Sequence, residues 1–310
     1  MSTYRPSARA LRRDLLGKVR RFPKEPRVLL AEWGLVGAQI VGTSPSGNSL
    51  LKLSRSSALG QRGAIIQVPR DRVIFESVRQ QGAYSTDISD FLAKGLDSNL
   101  DPRKKSALLD IGANSGLISL QTARMARGLH HYFLFEPLPA HAEAIRHNLE
   151  HLPKTVPVEV HQIALSDQNG QATILTEMLN HGNSSFFQQA IAHPDEQIRT
   201  TVDTADTGHF FTDFGANFDR FVLKCDTQGM DAVILSRIPG HIWGRIERAA
   251  VEIWALPTIG EADVERTLSL WAGFSRIAWD PNFRNTTTLT EVARFWTNKS
   301  RAERNLFLER

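Results

Sequence analysis

The segment ALLDIGANSGLISL, from Ala107 to Leu120, constrains the fold more than any other part of the sequence. Its apolar start, Ala107 to Leu109, is typical of a strand that is covered on both faces. Gly112 and Gly116 follow, and because neither carries a Cβ atom, they let the backbone turn sharply and approach a ligand closely. A helix that begins near Gly116 would point free N–H groups at that ligand. The segment therefore predicts a parallel α/β sheet that binds a nucleotide-like cofactor at its carboxyl edge.

The spacing of the glycines separates this turn from two other ligand-binding turns. A dinucleotide-binding turn has G-x-G-x-x-G after the strand, and here the middle glycine is missing. A P-loop needs Gly-Lys-Ser/Thr, and the segment has no lysine. What remains, with Asp110, Gly112, Ala113, Asn114 and Gly116, is similar to the first motif of the S-adenosylmethionine-dependent methyltransferases. The alternative is a glycine turn in an α/β protein that binds no cofactor.

Two later segments predict further parts of a cofactor site. A short apolar strand ends at Glu136, 26 residues after Asp110, where a carboxylate can accept hydrogen bonds from ribose hydroxyls. The alternative for Glu136 is a solvated carboxylate at a strand end. A third strand begins near Val158, and Ala164 and Leu165 at its carboxyl end would form one wall of an adenine pocket.

Six segments in the same order and at similar spacing resemble the FkbM family of S-adenosylmethionine-dependent methyltransferases, from about residue 70 to the C-terminus. They are DIGANSG (Asp110–Gly116), FEPLP (Phe135–Pro139) with the later Asn148-Leu149, ALSD (Ala164–Asp167), TVD (Thr201–Asp203), LKCDTQG (Leu223–Gly229) and VEIW (Val251–Trp254). The family usually has an acid two residues after the aspartate that follows the fourth strand. Here that residue is Gln228, which leaves open any function that needs a carboxylate there.

The resemblance implies an α/β fold with a Rossmann-like class I methyltransferase sheet. That sheet is mostly parallel, has an antiparallel final strand and carries helices on both faces. The resemblance also implies S-adenosylmethionine as cofactor, and as acceptor a hydroxyl group of a sugar, a glycan precursor or a secondary metabolite. Two alternatives stay open: a methyltransferase-like scaffold or interaction protein that docks through its basic N-terminus, and a methyltransferase that acts on a protein or another nitrogen acceptor.

Methyl transfer to a neutral hydroxyl requires removal of its proton, so the acceptor site needs a base. Asp226 follows the fourth strand and is expected to line that site; the alternative is that it caps the next helix. The other catalytic candidates are Glu252, near the end of the fifth strand, and His181, in a polar loop over residues 181–187 between the third and fourth strands. A second scheme places a divalent metal between Asp226 and Glu252. Because the sequence offers no third ligand, no metal site is predicted.

The sequence divides into three parts. Residues 1–26 predict a basic amphipathic helix, with apolar residues at helical spacing from Ala8 to Phe22. Residues 27–70 contain short strand patterns broken by turns, and predict a small β-rich accessory segment. Residues 71–310 form the predicted methyltransferase domain.

The net charge of +4 is concentrated at one end of the chain. Residues 1–30 hold nine Lys/Arg and two Asp/Glu, so no broad basic surface exists for nucleic acid, and no such partner is expected. The helix predicted over residues 5–22 either contacts an anionic membrane surface or packs on its own domain. No apolar run reaches 18 residues, no signal peptide is apparent, and Cys225 is the single cysteine. These features predict a cytoplasmic protein, associated with a membrane if residues 5–22 bind one, and do not predict its oligomeric state.

Overall fold

The computed structural model describes residues 37–69, 71–99, 101, 103–177, 180–187 and 197–310, and for residues 180–183 it describes the backbone only. The helix predicted within residues 1–26 lies outside the described residues.

Strands and helices alternate along most of the chain. The strands are β1 (Ala38–Thr43), β2 (Ser49–Leu53), β3 (Ile65–Val68), β4 (Ser106–Ile111), β5 (His131–Phe135), β6 (Val158–His161), β7 (Ala164–Ser166), β8 (Gly170–Glu177), β9 (Asn180–Ser185), β10 (Gln197–Asp206), β11 (Arg220–Cys225), β12 (Ile246–Trp254), β13 (Arg276–Ala278) and β14 (Glu303–Glu309). The helices are α1 (Arg72–Gln81), α2 (Thr86–Leu96), α3 (Leu117–Met125), α4 (Pro139–Leu149), α5 (Thr207–Phe210), α6 (Asp231–Arg237), α7 (Gly240–Trp243), α8 (Glu261–Trp271) and α9 (Leu289–Trp296). Within the described ranges, no helix is both long enough and apolar enough to cross a membrane.

Seven strands form the central sheet, in the order β13-β14-β12-β11-β4-β5-β6. Strands β6, β5, β4, β11 and β12 run parallel, whereas β14 runs antiparallel to both of its neighbours. Parallel strands are buried on both faces, which is why β4 is a continuous run of buried residues. The predicted class I methyltransferase sheet with an antiparallel final strand is confirmed.

Helices cover both faces of this sheet. Successive side chains of a strand point to opposite faces, and β4 therefore contributes to two cores. Leu108 belongs to the core that contains Phe91 of α2 and Ile145 of α4. Leu109 belongs to the core that contains Trp243 of α7. The carboxyl ends of the parallel strands are left free at one edge of the sheet.

Strands β1 to β3 form a separate antiparallel sheet within the predicted accessory segment. Asn148 of α4, which is fully buried, ties this sheet to the main domain. Its Oδ1 atom accepts the N–H of Gln67 at 2.7 Å, and its Nδ2 group donates to the carbonyls of Gln67 and Ser115 at 2.8 Å. One side chain thus links β3, α4 and the turn after β4. The division of the chain at residue 70 stays a prediction, and these hydrogen bonds cross it.

The segment between the third and fourth parallel strands of the central sheet forms a four-stranded sheet of its own, in the order β7-β10-β8-β9. Strand β8 pairs with β9 and with β10. The polar loop predicted over residues 181–187 is wrong for residues 181–185, because Asn180–Ser185 is strand β9. This strand pairs with β8 through its backbone groups. Because its sequence is polar and lacks alternating apolar residues, the pattern does not predict a strand.

Candidate functional site

A tight turn after β4 brings this strand against the end of β11. Gly112 has a φ angle of +73°, and a Cβ atom there would lie 1.9 Å from the carbonyl oxygen of Asp226. Only glycine therefore fits both the backbone conformation and the space. The N–H groups of Gly112 and Ala113 donate to the carbonyl of Phe135 at 3.0 Å. These contacts fix the turn to the carboxyl ends of both neighbouring strands.

The turn leads directly into α3, as the sequence predicts. Gly116 caps this helix with a φ angle of +70°, and a Cβ atom there would lie 3.3 Å from the side chain of Ile145. Asn114, in the middle of the turn, has a φ angle of +53°, a conformation that asparagine adopts more readily than most residues. The backbone of the turn is thus set by residues that tolerate positive φ angles.

Asp110 lies beneath the turn. Its carboxylate is fully buried, accepts the hydroxyl of Ser119 at 2.6 Å and lies 3.3 Å from Nζ of Lys224. Asp110 and Gly116 line neither of the two cavities at this edge of the sheet. They support the turn, and direct contact with a cofactor stays a prediction for both.

The first cavity opens beside the turn and holds about 660 Å³, including the space at its mouth. Its walls are mainly apolar and come from the central sheet, from the four-stranded sheet β7-β10-β8-β9 (the insertion sheet), and from α4 and α6. The predicted residues Gly112, Asn114, Glu136, Ala164 and Leu165 all line it. The other lining residues are Ile111, Phe135, Pro137, Leu138, His141, Ile163, Ile174, Ser184, Ser185, Phe186, Asp226, Thr227, Gln228, Met230 and Ile234.

Glu136 presents a fixed carboxylate to the first cavity. One oxygen accepts the N–H of Asn114 at 2.9 Å and the other accepts the N–H of Leu138 at 3.0 Å. Nδ1 of His141 lies 3.6 Å from the second oxygen. Because an ionised carboxylate has about four acceptor positions, Glu136 retains capacity for hydroxyl groups of a ligand.

A second cavity lies on the other side of the turn and holds about 980 Å³, again including its open mouth. Its lining is much more polar than that of the first, with four carboxyl groups and one ammonium group. Its lining residues are Asp71, Val73, Ile74, Tyr84, Ala113, Asn114, Ser115, Leu117, Ile118, Lys224, Asp226, Gln228, Glu252, Trp254 and Glu303. The predicted residues Ala113, Asp226 and Glu252 are among them.

Three residues, Asn114, Asp226 and Gln228, line both cavities. They lie where the turn after β4 meets the turn after β11, so the two cavities adjoin there. A group that passes from a ligand in one cavity to a ligand in the other would cross this border.

Lys224 is a buried cation between two acids. Its Nζ atom lies 3.3 Å from Asp110 and 3.7 Å from Asp226, and it donates to the carbonyl of Gly112. Burial lowers the pKa of Lys224, but the charges of Asp110 and Asp226 outweigh this effect and raise the pKa above its ordinary value. The side chain therefore stays charged and holds the two strand ends together.

Asp226 and Glu252, both predicted catalytic residues, are brought together by the side chain of Gln228. Its Nε2 group donates to Asp226 at 2.9 Å and to Glu252 at 2.7 Å. Nε1 of Trp254 also donates to Glu252 at 2.7 Å. Burial and the charge of Asp226 raise the pKa of Glu252 well above its ordinary value. The carboxyl group of Asp226 is the more accessible, with a side chain that is 34% exposed.

Three further lining residues are not among the predicted site residues: Asp71, Tyr84 and Glu303. Burial and the charge of Asp226 raise the pKa of Tyr84 to about 12, and the same two causes raise the pKa of Glu303. Asp71 precedes a helix and caps it at the N–H of Ile74, which is the one sequence signal among the three. Glu303 lies opposite Trp254 across the antiparallel strands β12 and β14, a register that local sequence does not reveal.

The remaining predicted base, His181, lies in β9, and its side chain is outside the described residues. Cys225 is buried at the end of β11. Among the described residues, no group of three or more His, Cys, Asp or Glu side chains could hold a metal ion. The amide of Gln228 lies between the two carboxyl groups that the metal scheme would use.

Residues 110–257 match the family profile described as the methyltransferase FkbM domain. The chain contains an FkbM methyltransferase domain. The matched range begins at Asp110, ends just after β12 and includes both turns that border the cavities. The protein is therefore a methyltransferase that depends on S-adenosylmethionine, as the sequence resemblance implies.

The first cavity of the FkbM domain fits this cofactor. It combines apolar walls, suited to an adenine ring, with a carboxylate at Glu136, suited to ribose hydroxyls. Oδ1 of Asn114 is buried and accepts no hydrogen bond from the described residues. A buried acceptor without a donor is costly, and an ammonium or N–H group of a ligand would supply one.

Two solved structures are similar to this chain at low sequence identity. A putative O-methyltransferase from Klebsiella pneumoniae is 12% identical, with a TM-score of 0.38 and coverage of 77% of this chain and 89% of that one. A SAM-dependent O-methyltransferase from Thermotoga maritima is 16% identical, with a TM-score of 0.34 and coverage of 85% and 78%. These values are too low to transfer a substrate or a site residue. No curated protein matches the chain.

Proposed function

We propose that the protein transfers the methyl group of S-adenosylmethionine to a hydroxyl group of a sugar, a glycan precursor or a secondary metabolite. One observation carries this proposal: a polar cavity adjoins the first cavity at Asn114, Asp226 and Gln228. The first cavity would hold the cofactor, and the second would hold the acceptor. The acceptor hydroxyl would then approach the methyl group beside Asp226.

When bound, S-adenosylmethionine supplies a methyl group on a positively charged sulfur, which is a good leaving group. The protein therefore has two tasks, alignment of the acceptor and removal of the hydroxyl proton. We assign the second task to Asp226, because it lines both cavities and its carboxylate is partly exposed. Lys224 and Gln228 hold that carboxylate from two sides, at 3.7 Å and 2.9 Å.

The lining of the second cavity supports an acceptor rich in hydroxyl groups. Carboxyl and amide groups from Asp71, Asn114 and Glu303 offer hydrogen-bond partners around its walls. The aromatic rings of Tyr84 and Trp254 line the same space and offer apolar surface with a polar tip. A sugar presents both hydroxyl groups and apolar C–H faces, and this lining can bind both.

The test is formation of S-adenosylhomocysteine and methylated product from a panel of sugars, glycolipids and hydroxylated metabolites. Asp226→Asn is expected to lower kcat about 10²- to 10⁴-fold, the usual contribution of a general base. The matched control is Asp203→Asn on β10, where the carboxylate is exposed and accepts only a surface amide from Gln171 among its described hydrogen bonds. Full kcat in Asp226→Asn would remove this residue from the mechanism. Methylation of amines but of no hydroxyl would overturn the proposed acceptor class.

A further inference from the structure

Gln228 adopts a backbone conformation that glutamine rarely has. Its φ angle is +52°, in the left-handed region that costs free energy for a residue with a Cβ atom. Such strain persists only where surrounding contacts impose it, and it often marks functional sites. At Gln228 the contacts come from both its backbone and its side chain.

The backbone of Gln228 is held by the insertion sheet. Its carbonyl oxygen accepts the hydroxyl of Ser185, at the end of β9, at 2.6 Å. The same hydroxyl oxygen accepts the N–H of Phe187 at 3.0 Å. The turn after β11 is therefore tied to the wall of the first cavity through Ser185, and this fixes where the side chain of Gln228 begins.

The side chain of Gln228 uses both N–H bonds of its amide on carboxyl groups. One bond goes to Oδ1 of Asp226 and the other to Oε2 of Glu252. Burial and the charge of Asp226 raise the pKa of Glu252, and two carboxyl groups at close range repel when both are ionised. A neutral amide with two donors reduces that repulsion and adds no charge of its own.

We propose that Gln228 is a positioning residue, which holds Asp226 and Glu252 together so that the other oxygen of Asp226, Oδ2, faces the border between the two cavities. This inference rests on the proposed function, because it assigns Asp226 as the group that receives the proton. Gln228 itself takes no proton. It orients the carboxylate of Asp226.

The test uses Gln228→Asn in the full-length protein. Asparagine tolerates the left-handed backbone better than most residues, but its side chain is one methylene shorter and does not reach both carboxyl groups. Gln228→Met is the second variant, with a side chain of similar length and no donor. The matched control is Gln171→Met, which removes an amide-to-carboxylate hydrogen bond at the surface, 3.0 Å from Nε2 of Gln171 to Asp203.

A readout independent of turnover comes from Trp254, whose Nε1 group donates to Glu252. Protein labelled with 5-fluorotryptophan is titrated with acid and base by fluorine NMR, and Trp254→Phe identifies the resonance of this residue. Loss of a donor to a charged carboxylate raises its pKa. The resonance of Trp254 reports the titration of Glu252, to which its Nε1 group donates. The midpoint of this titration is expected to rise by about one pH unit in Gln228→Asn and Gln228→Met, and to stay unchanged in Gln171→Met.

The second readout is kinetic. Both Gln228 variants are expected to lose about tenfold to a hundredfold in kcat, the scale for a misplaced reacting group, while binding of S-adenosylhomocysteine changes far less. An unchanged midpoint overturns the proposal, and so does a raised midpoint with full kcat. If the wild-type protein methylates no hydroxyl compound, the proposed function fails, and the midpoint still decides whether Gln228 holds the carboxyl pair.

Discussion

The ammonium group of Lys224 lies 3.3 Å from Oδ1 of Asp110, and both side chains are almost completely buried. Lys224 also donates to the carbonyl of Gly112 and approaches Asp226 at 3.7 Å. One cation therefore joins the acid of β4, the glycine turn and the acid that follows β11. The two turns that border the cavities share this support.

Replacement of Lys224 by methionine is expected to destabilise the protein. The variant leaves the carboxylate of Asp110 buried and without its cation, which typically costs about 3–5 kcal/mol. Urea denaturation measures the loss in free energy of unfolding. The control is Lys94→Met, because Lys94 pairs with Asp90 at 2.6 Å with both side chains more than half exposed. That change is expected to cost about 0–1 kcal/mol, and equal losses in the two variants would contradict a special role for Lys224.

Gly112→Ala is expected to abolish tight binding of S-adenosylhomocysteine. The new Cβ atom would lie 1.9 Å from the carbonyl oxygen of Asp226, so the turn must move away from β11 and from the first cavity. Gly47→Ala is the control, since Gly47 has a φ angle of +89° and no atom within 4 Å of the added Cβ. It bears only the backbone cost, about 1–2 kcal/mol. Calorimetric titration checks the prediction, which fails if Gly112→Ala binds the ligand as the wild type does.

The central sheet and the first cavity are readable from the sequence because their signals are local. The apolar run before Asp110 and the two glycines after it predict β4, its turn and α3. Glu136 directly follows the buried strand β5, so its place at the sheet edge is set by that strand. Ala164 and Leu165 also line the first cavity, but they lie in β7 of the insertion sheet and not at the end of β6.

The second cavity is hard to read because its residues converge from distant parts of the chain. Glu303 reaches it through the antiparallel register that places it opposite Trp254, and a slip of one residue would turn it to the other face. Tyr84 is placed by Gln121 of α3, which both accepts its N–H, at 3.0 Å, and donates to its carbonyl. Neither contact leaves a pattern in the local sequence.

Glu136→Ala is expected to weaken binding of S-adenosylhomocysteine by about 1–3 kcal/mol, the cost of leaving polar partners unpaired. The variant also removes the acceptor of the N–H groups of Asn114 and Leu138. Calorimetric titration measures the change. Glu159→Ala on β6 is the control, because that side chain is 60% exposed. Wild-type affinity in Glu136→Ala would refute a ribose contact at this carboxylate.

The stability of the protein is expected to depend on pH through Asp231, a buried carboxyl group in the first turn of α6. Burial, and then the charge of Asp226, raise its pKa from 3.8 to about 6. A raised pKa in the folded state means that the folded protein binds the proton more tightly. The contribution of Asp231 to stability is therefore full below pH 3.8 and is lost as the pH rises through about 6.

The measurement is the difference in free energy of unfolding between the wild type and Asp231→Asn at pH 4 and at pH 7. Relative to Asp231→Asn, the free energy of unfolding of the wild type is expected to fall by about 2 kcal/mol between pH 4 and pH 7. Asp280→Asn provides a control of opposite sign, since the backbone N–H of Asn285, with those of Arg284 and Asn282, lowers the pKa of Asp280. The free energy of unfolding of the wild type should therefore rise relative to that of Asp280→Asn as the pH rises. A difference for Asp231 that does not vary with pH would contradict the assignment.

The charge of the second cavity limits which acceptors it can hold. Asp71, Asp226, Glu252 and Glu303 contribute carboxyl groups, and its one cation, Lys224, is already paired with Asp110 outside the cavity lining. An acceptor that carries phosphate would meet these acids without a free cation among the described lining residues. A neutral or positively charged acceptor would not be repelled by these acids.

A neutral sugar acceptor is therefore expected to have a kcat/KM at least about tenfold above that of its phosphate ester, since one like charge at close range costs about 1.4 kcal/mol or more. Burial and the charge of Asp226 raise the pKa of Glu303, so this residue becomes charged only at a higher pH than an ordinary glutamate. The preference for the neutral sugar over its phosphate ester should therefore grow as the pH rises. Glu303→Gln should narrow it, whereas Glu261→Gln, at an exposed position of α8, should not. Equal kcat/KM for the two acceptors in the wild type would show that acceptors bind away from these acids.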